Sequence, residues 1–289
     1  MNHRRKLLAT LALWLMMAGV SQSQETYLIK LTAPRRVGDK YHLRARISET
    51  KIDPKASGQQ LRVFTNKSEI ELEGNIEVIE VDAHGFETRL SCTVDRCFSG
   101  SGGTKKKILE KGDVVLATAK KREMVFLSNN REISWETDRC LNKIFQPPSA
   151  EADEEEIFGT KTPKKIGERW RINSEAAVSR WNHYGPWFHV KAFEGDSCLR
   201  GITTLNGEKC LEIESAARLV DLKPPDTPSN IKVKDMSCEI KTVRFCPAGR
   251  PPLRECNTAK FVVNAGFVSH GGTVFAQFIY EISDERDYF

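Results

Sequence analysis

The sequence predicts a mainly β protein, with antiparallel sheets in two related halves, an open or incomplete barrel-like arrangement, and few short helices. Two observations indicate this fold. Much of the chain alternates apolar and polar residues with the period of a half-buried strand, as residues 41–48 do. A nine-residue pattern also occurs twice, first over residues 35–43 and again over residues 164–172. Both copies read basic, basic, β-branched, Gly, acid, basic, aromatic, basic or His, aliphatic. A spacing of about one domain length predicts a duplicated half.

Each copy is predicted to be a turn that starts a strand. Gly38 and Gly167 supply a position that tolerates a positive φ, and the acid after each glycine is a common turn residue. The aromatic residues Tyr41 and Trp170 then begin a pattern of period two with one buried face. We therefore expect the halves to superpose with glycine on glycine and aromatic on aromatic. Residues 111–116 open a further strand in the same way.

Residues 1–23 are predicted to be a signal peptide. Residues 3–6 form a positive n-region, residues 7–20 are apolar, and Ser21 and Ser23 suit the −3 and −1 positions of a cleavage site. The apolar run is too short for a comfortable transmembrane helix. We expect an exported chain, periplasmic or secreted, that begins near Gln24 and has no membrane span after cleavage. An uncleaved membrane anchor is the alternative.

The charge of the exported chain is nearly balanced. The whole sequence has a net charge of +5, and the predicted signal contributes three of its 44 basic residues and no acid. Basic and acidic residues alternate along most predicted strands, so no basic patch for nucleic acid is expected. The remaining length is enough to bury a large core, as one domain or two.

The eight cysteines predict at least two disulfides, because an even number in an exported chain favours pairing. The favoured local partners are Cys92 with Cys97 and members of the group Cys238, Cys246 and Cys256, with Cys246–Cys256 first. No Cys-x-x-Cys pair occurs, so no zinc site and no cofactor is predicted. The disulfide candidates are Cys92, Cys97, Cys140, Cys198, Cys210, Cys238, Cys246 and Cys256.

The first half is predicted to span residues 24–148. Residues 50–60 contain Pro and Gly breakers and are predicted to be a loop, and Gly74-Asn75 a bulge or tight bend. Residues 97–107 are glycine-rich ahead of lysines, but they lack the Walker spacing and are interpreted as a hairpin tip. One short helix is predicted over residues 137–145. Strands are predicted over residues 27–48, 61–82, 86–94, 114–119 and 124–127.

An acidic linker, residues 149–163, is predicted to separate this half from the second, residues 164–289. Five of the six residues 151–156 are acidic, which is typical of a solvated connection. In the second half Asn206-Gly207 is a strong hairpin signal, and residues 247–257 are predicted to be a loop. Strands are predicted over residues 170–178, 198–204, 210–219, 231–245, 261–268 and 273–282.

The candidate ligand-binding site is a group of aromatic and imidazole side chains within nine residues. Gly185-Pro186 predicts a turn there, at a rim or sheet corner. The candidate residues are Trp181, His183, Tyr184, Trp187, Phe188 and His189.

No catalytic residue is assigned from the sequence. His183 and His189 could join Glu194 or Asp196 as metal ligands or acid/base groups, but a spacing of six fits no helix face or known motif. Residues 270–273 resemble the oxyanion segment of lipases, yet no Gly-x-Ser-x-Gly elbow supplies a nucleophile.

Residues 158–172 and 205–213, with the duplication and the signal, resemble a group of uncharacterised exported bacterial β-rich proteins. That group looks similar in strand order to envelope carriers of the LolA type, whose incomplete barrel encloses apolar ligand. The resemblance implies a non-catalytic binding or carrier-type protein, whose partner is an apolar small molecule or another envelope component. The alternatives are an envelope-associated hydrolase with a site near residues 181–189 and a structural envelope protein. An apolar pocket would favour the carrier, and a polar cleft near His183 the enzyme.

Overall fold

In its described residues the chain forms one large antiparallel sheet of 13 strands, a separate two-stranded sheet and three short helices. The computed structural model describes residues 25–32, 34–57, 60–121, 123–147, 154–184, 190–220, 231–247, 252–269 and 272–289. The helices are α1 (Trp135–Ile144), α2 (Glu154–Phe158) and α3 (Ser174–Tyr184). The strands are β1 (Thr26–Tyr27), β2 (Lys40–Ser57), β3 (Gln60–Val81), β4 (Glu87–Ser101), β5 (Thr104–Leu109), β6 (Val114–Lys120), β7 (Glu123–Ser128), β8 (Arg131–Glu132), β9 (Lys164–Lys165), β10 (Arg169–Arg171), β11 (Ala192–Leu205), β12 (Glu208–Val220), β13 (Ile231–Pro247), β14 (Arg254–Ser269) and β15 (Gly272–Tyr288). The predicted mainly β fold is confirmed.

The two halves share the large sheet. Its strand order is β10-β11-β12-β13-β14-β15-β2-β3-β4-β6-β7-β8, and β5 pairs with β4. The last strand of the chain, β15, therefore lies against the first long strand, β2, with Tyr288 opposite Leu43. Within the described ranges the end strands β10 and β8 do not pair, so the sheet is open. Of the two arrangements left open by the sequence, the structure has the single sheet.

The repeated motif of the first half forms a closed turn. Gly38 has a φ of +90°, and its N–H donates to the carbonyl oxygen of Val78 at 2.9 Å. The N–H of Val78 donates to the carbonyl oxygen of Asp39, also at 2.9 Å. The carboxylate of Asp39 accepts the N–H of Arg36 at 2.8 Å. The glycine supplies the positive φ and the acid closes the turn, which explains why the motif contains both.

The second half repeats this turn bond for bond. Gly167 has a φ of +85°, and its N–H donates to the carbonyl of Leu199 at 2.7 Å. The N–H of Leu199 donates to the carbonyl of Glu168 at 3.2 Å, and the Glu168 carboxylate accepts the N–H of Lys165 at 3.0 Å. Gly112, with a φ of +90°, begins a third copy before β6. The prediction that the two motif glycines occupy equivalent turns is confirmed.

The motif aromatics also start equivalent strand pairings. Tyr41 lies opposite Ile76, two residues before Val78, whose carbonyl accepts the N–H of Gly38. In the same way Trp170 lies opposite Ser197, two residues before Leu199, whose carbonyl accepts the N–H of Gly167. Trp170 is buried and Tyr41 is half-buried. The halves then diverge, because β2 has 18 residues whereas β10 has three.

One face of the sheet carries the core. Along β2, Leu43 and Ala45 are buried while Arg44 and Arg46 are exposed, as the alternation predicts. The core of the first half packs against α1, and that of the second half packs against α2 and α3. A third cluster joins residues 29 and 31 of the N-terminal segment to Trp170 and its neighbours. The N-terminal segment therefore packs against the second half.

Three secondary-structure predictions are wrong, and one of them is the loop predicted over residues 247–257, because β14 begins at Arg254. The predicted loop over residues 50–60 is the hairpin end of β2 and β3, where Pro54 lies opposite Val63. In the described chain β2 pairs with β15 only as far as Ile52. Beyond that residue this side of β2 is an edge, where a proline without an N–H is tolerated. The predicted strand over residues 170–178 ends at Arg171 and gives way to α3. The side chain of Asn173 accepts the N–H of Ala176 at 3.2 Å and caps that helix.

The predicted disulfides are also wrong in this structure, where none of the eight cysteines is bonded to another. Cys92 and Cys97 lie five positions apart on β4, more than about 10 Å along a strand, whereas bridged Cα atoms are within about 7 Å. Cys256 lies opposite Val243, three positions from Cys246 and so on the opposite face. Burial raises the pKa of each thiol of Cys92, Cys97, Cys238 and Cys246 to about 12.

Candidate functional site

Of the predicted aromatic site, the structure describes only the side chain of Trp181, which does not lie at a rim or sheet corner. Trp181 lies on α3, and its ring contacts those of Phe193 and Phe261 at centroid distances of 5.7 and 6.0 Å. It therefore belongs to the core of the second half and not to an exposed turn. The side chains of His183 and Tyr184, and the whole of Trp187, Phe188 and His189, lie outside the described residues.

The acids proposed to join those histidines have surface roles. Glu194 forms an exposed ion pair with Arg218 at 3.0 Å. Asp196 lies opposite Arg171 at the edge of the sheet. In the part of the chain that the structure describes, no group of three His, Cys, Asp or Glu side chains could hold a metal ion.

A cavity of about 270 Å³ lies where the two halves meet. Its walls come from the N-terminal segment, β2, β4, β7, the end of α1, the start of β14 and the end of β15. Much of the lining is apolar, with contributions from Leu31, Leu43, Leu90, Met124, Ile144 and Phe145. This lining can bury an apolar group, which is the usual character of a small-molecule site.

The first polar group of the cavity is formed by the duplicated motif and β4. The Tyr41 hydroxyl donates to Glu87 Oε2 at 2.9 Å, and Arg35 Nε lies 3.3 Å from Glu87 Oε1. The Arg35 guanidinium also lies over the Tyr41 ring, 4.5 Å from its centroid. Burial raises the pKa of Glu87 above the ordinary carboxyl value, although Arg35 and Tyr41 act against it. Burial and the neighbouring Glu87 raise the pKa of Tyr41.

The second polar group comes from the last three strands. The Tyr288 hydroxyl donates to Glu255 Oε2 at 3.4 Å, and Arg244 Nε lies 3.4 Å from Glu255 Oε1. Arg286 donates to both carboxylate oxygens of Asp284 at 2.9 to 3.1 Å. Burial raises the pKa of Glu255, with Arg244 opposing it.

Strand register brings these groups together. Arg244, Glu255 and Arg286 lie opposite one another on β13, β14 and β15, so they form one row of alternating charge. The pairing of β15 with β2 then brings Tyr288 beside the first group, with its ring 6.0 Å from that of Tyr41. The polar wall therefore exists only because the two halves share a sheet.

The described end of the predicted linker packs behind this wall. Glu154 pairs with Arg180 at 2.9 Å and with the buried Arg244. Burial acts to raise the pKa of Glu154, but these two arginines outweigh it and lower the pKa overall. Glu155 accepts the N–H of Leu31 at 2.6 Å and so fixes the N-terminal segment that lines the cavity. Helix α2 is therefore a docked element and not a solvated connection.

Comparison with known proteins gives no assignment. No protein-family model matches the chain, and no curated protein matches it. Among the described residues, no helix is long and apolar enough to cross a membrane.

Proposed function

We propose that the protein is a non-catalytic, exported or periplasmic binding protein of the carrier type, and that the cavity between its halves holds the ligand. The observation that carries the proposal is a cavity with a largely apolar lining, interrupted by two Tyr–Glu pairs, one from each half. An apolar lining supplies affinity through burial, and a few polar groups at one wall set the orientation. A volume of about 270 Å³ favours a small molecule.

The residues of the cavity favour binding over catalysis. The described lining contains no His, Cys or Ser, which are common nucleophiles and bases. Glu87 and Glu255 face the cavity, but the oxygens of each carboxylate lie near a tyrosine hydroxyl and an arginine nitrogen. These carboxylates are therefore held in a structural network and are poorly placed to transfer a proton to a ligand.

Export of the chain, and its likeness to exported bacterial β-rich proteins, are parts of the same proposal. Cleavage after Ser23 would give a chain that starts near Gln24, and sequencing of the exported protein tests this. The single open sheet and the duplicated turn support the likeness to exported bacterial β-rich proteins and to LolA-type carriers. Fold-level likeness does not identify the ligand.

The binding proposal can be tested with N-phenyl-1-naphthylamine, an uncharged apolar fluorophore. Thr32 lines the cavity, so Thr32→Phe should fill part of it and weaken binding at least about tenfold. Lys30→Phe adds the same ring at an exposed site of the same segment and should bind as the wild type does. Saturable 1:1 binding that Thr32→Phe leaves unchanged would reject the cavity as the site.

A further inference from the structure

We propose that the ligand of the cavity is an apolar acid, and that Arg35 binds its carboxylate. The inference rests on the proposed function, because it names the chemical class of ligand for the same cavity. It follows from the hydrogen-bonding capacity that the lining residues leave unused.

Arg35 has unused donors. Its Nε faces Glu87 at 3.3 Å, and its two terminal nitrogens have no hydrogen-bond partner among the described residues. A guanidinium carries five N–H groups, so four remain. The side chain lines the cavity and is only 25% exposed. A bound carboxylate could accept two of these donors at once, which is the strongest form of this interaction.

The position of the guanidinium is fixed before a ligand arrives. It stacks on the Tyr41 ring at 4.5 Å, and the Tyr41 hydroxyl holds the Glu87 carboxylate that faces Arg35 Nε. A planar group held at one edge and one face loses little freedom when its other edge binds a carboxylate. The second half has a lysine at the equivalent position, where Lys164 lies 6.0 Å from the Trp170 ring centroid and pairs with Glu168. The unused donors therefore distinguish the first copy of the motif.

The two carboxylates of the lining already face partners, which argues against a cationic ligand. Glu87 faces Tyr41 and Arg35, while Glu255 faces Tyr288 and Arg244. An amine would have to displace one of these partners, whereas a carboxylate uses donors that are unoccupied.

Three probes with the same alkyl chain test the head group: decanoate, decanol and decylamine, titrated calorimetrically into the purified protein. Wild type should bind decanoate at least about tenfold more tightly than decanol, as expected for a charge-assisted hydrogen-bond pair. Arg35→Met should remove this preference and leave decanol binding unchanged, which also shows that the variant is folded. Arg36→Met, at the exposed neighbouring position, should behave as the wild type.

The outcomes separate the two proposals. Equal binding of decanoate and decanol, or tightest binding of decylamine, would reject the acid-binding inference and leave the carrier proposal standing. A decanoate preference that survives in Arg35→Met would reject Arg35 as the anchor. Failure of all three probes and of the uncharged fluorophore would reject the carrier proposal itself.

Discussion

Replacing Trp170 with alanine should lower the free energy of unfolding by about 3–5 kcal/mol, the usual cost of deleting a buried aromatic ring. Trp170 is 9% exposed and packs in the cluster that contains Leu31 and Leu199. An indole buries about 150–250 Å², which at about 25 cal/mol per Å² gives about 4–6 kcal/mol as an upper bound. The two figures agree, so ring burial alone accounts for the expected effect.

The hydrogen bond of the indole adds little to this cost. Trp170 Nε1 donates to the carbonyl of Phe158 at 2.8 Å, but the Ser197 hydroxyl donates to the same oxygen at 3.2 Å. The carbonyl therefore keeps a partner after substitution, and the lost bond costs only about 0.5–1.5 kcal/mol. Trp170→Phe retains most of the ring and should cost much less than the alanine variant.

Urea unfolding followed by far-ultraviolet circular dichroism measures the effect, with Arg171→Ala as the control. Arg171 is exposed on the opposite face of β10, so its removal should change stability by no more than about 0.5 kcal/mol. A loss below about 1 kcal/mol for Trp170→Ala would contradict the burial of the ring. Equal losses for both variants would contradict the assignment of the two faces.

Three further results are expected. Gly38→Ala and Gly167→Ala should each lower stability by about 1–2 kcal/mol, because nothing lies near the added methyl group and only the positive φ is strained; thermal unfolding at wild-type temperature would contradict this. Burial acts to raise the pKa of Glu49, but Lys143 outweighs it and lowers that pKa. Lys143→Met should therefore lower the free energy of unfolding by about 1–3 kcal/mol at pH 7 and by progressively less as acid protonates Glu49. A loss of stability that does not change with pH would refute the pairing. Native protein should react with a thiol reagent first at Cys256, since the other seven cysteines are buried, and all eight should react after denaturation; fewer than eight would indicate a disulfide.

Local signals were sufficient for most of the fold. The Asn206-Gly207 hairpin has φ values of +51° and +81°, as its sequence predicts, and the predicted short helix is α1. The register between β3 and β4 shifts at Gly74, which confirms the bulge expected there. These features depend on neighbours in sequence, so a single sequence contains the information needed to predict them.

The cavity could not be predicted because distant strands create it. Glu255 was placed in a loop, although it belongs to β14, and Arg286 lies near the chain end. The sequence predicts for Arg35 and Tyr41 only a place in the turn that starts a strand. They reach a cavity only where β15 pairs with β2, a contact between the two ends of the chain. Helix α3 differs from the strand predicted over residues 170–178, and the capping residue Asn173 is the sequence signal that marks its start.

Methionine methyl resonances test most directly whether the cavity between the halves binds ligand. A chain that starts at Gln24 has two methionines, of which Met124 lines the cavity and Met236 lies on β13 away from it. With methyl-labelled protein, titration with N-phenyl-1-naphthylamine should shift the Met124 resonance to saturation and leave Met236 unmoved. Saturable binding that shifts Met236, or that leaves Met124 unchanged, would contradict a ligand site between the two halves.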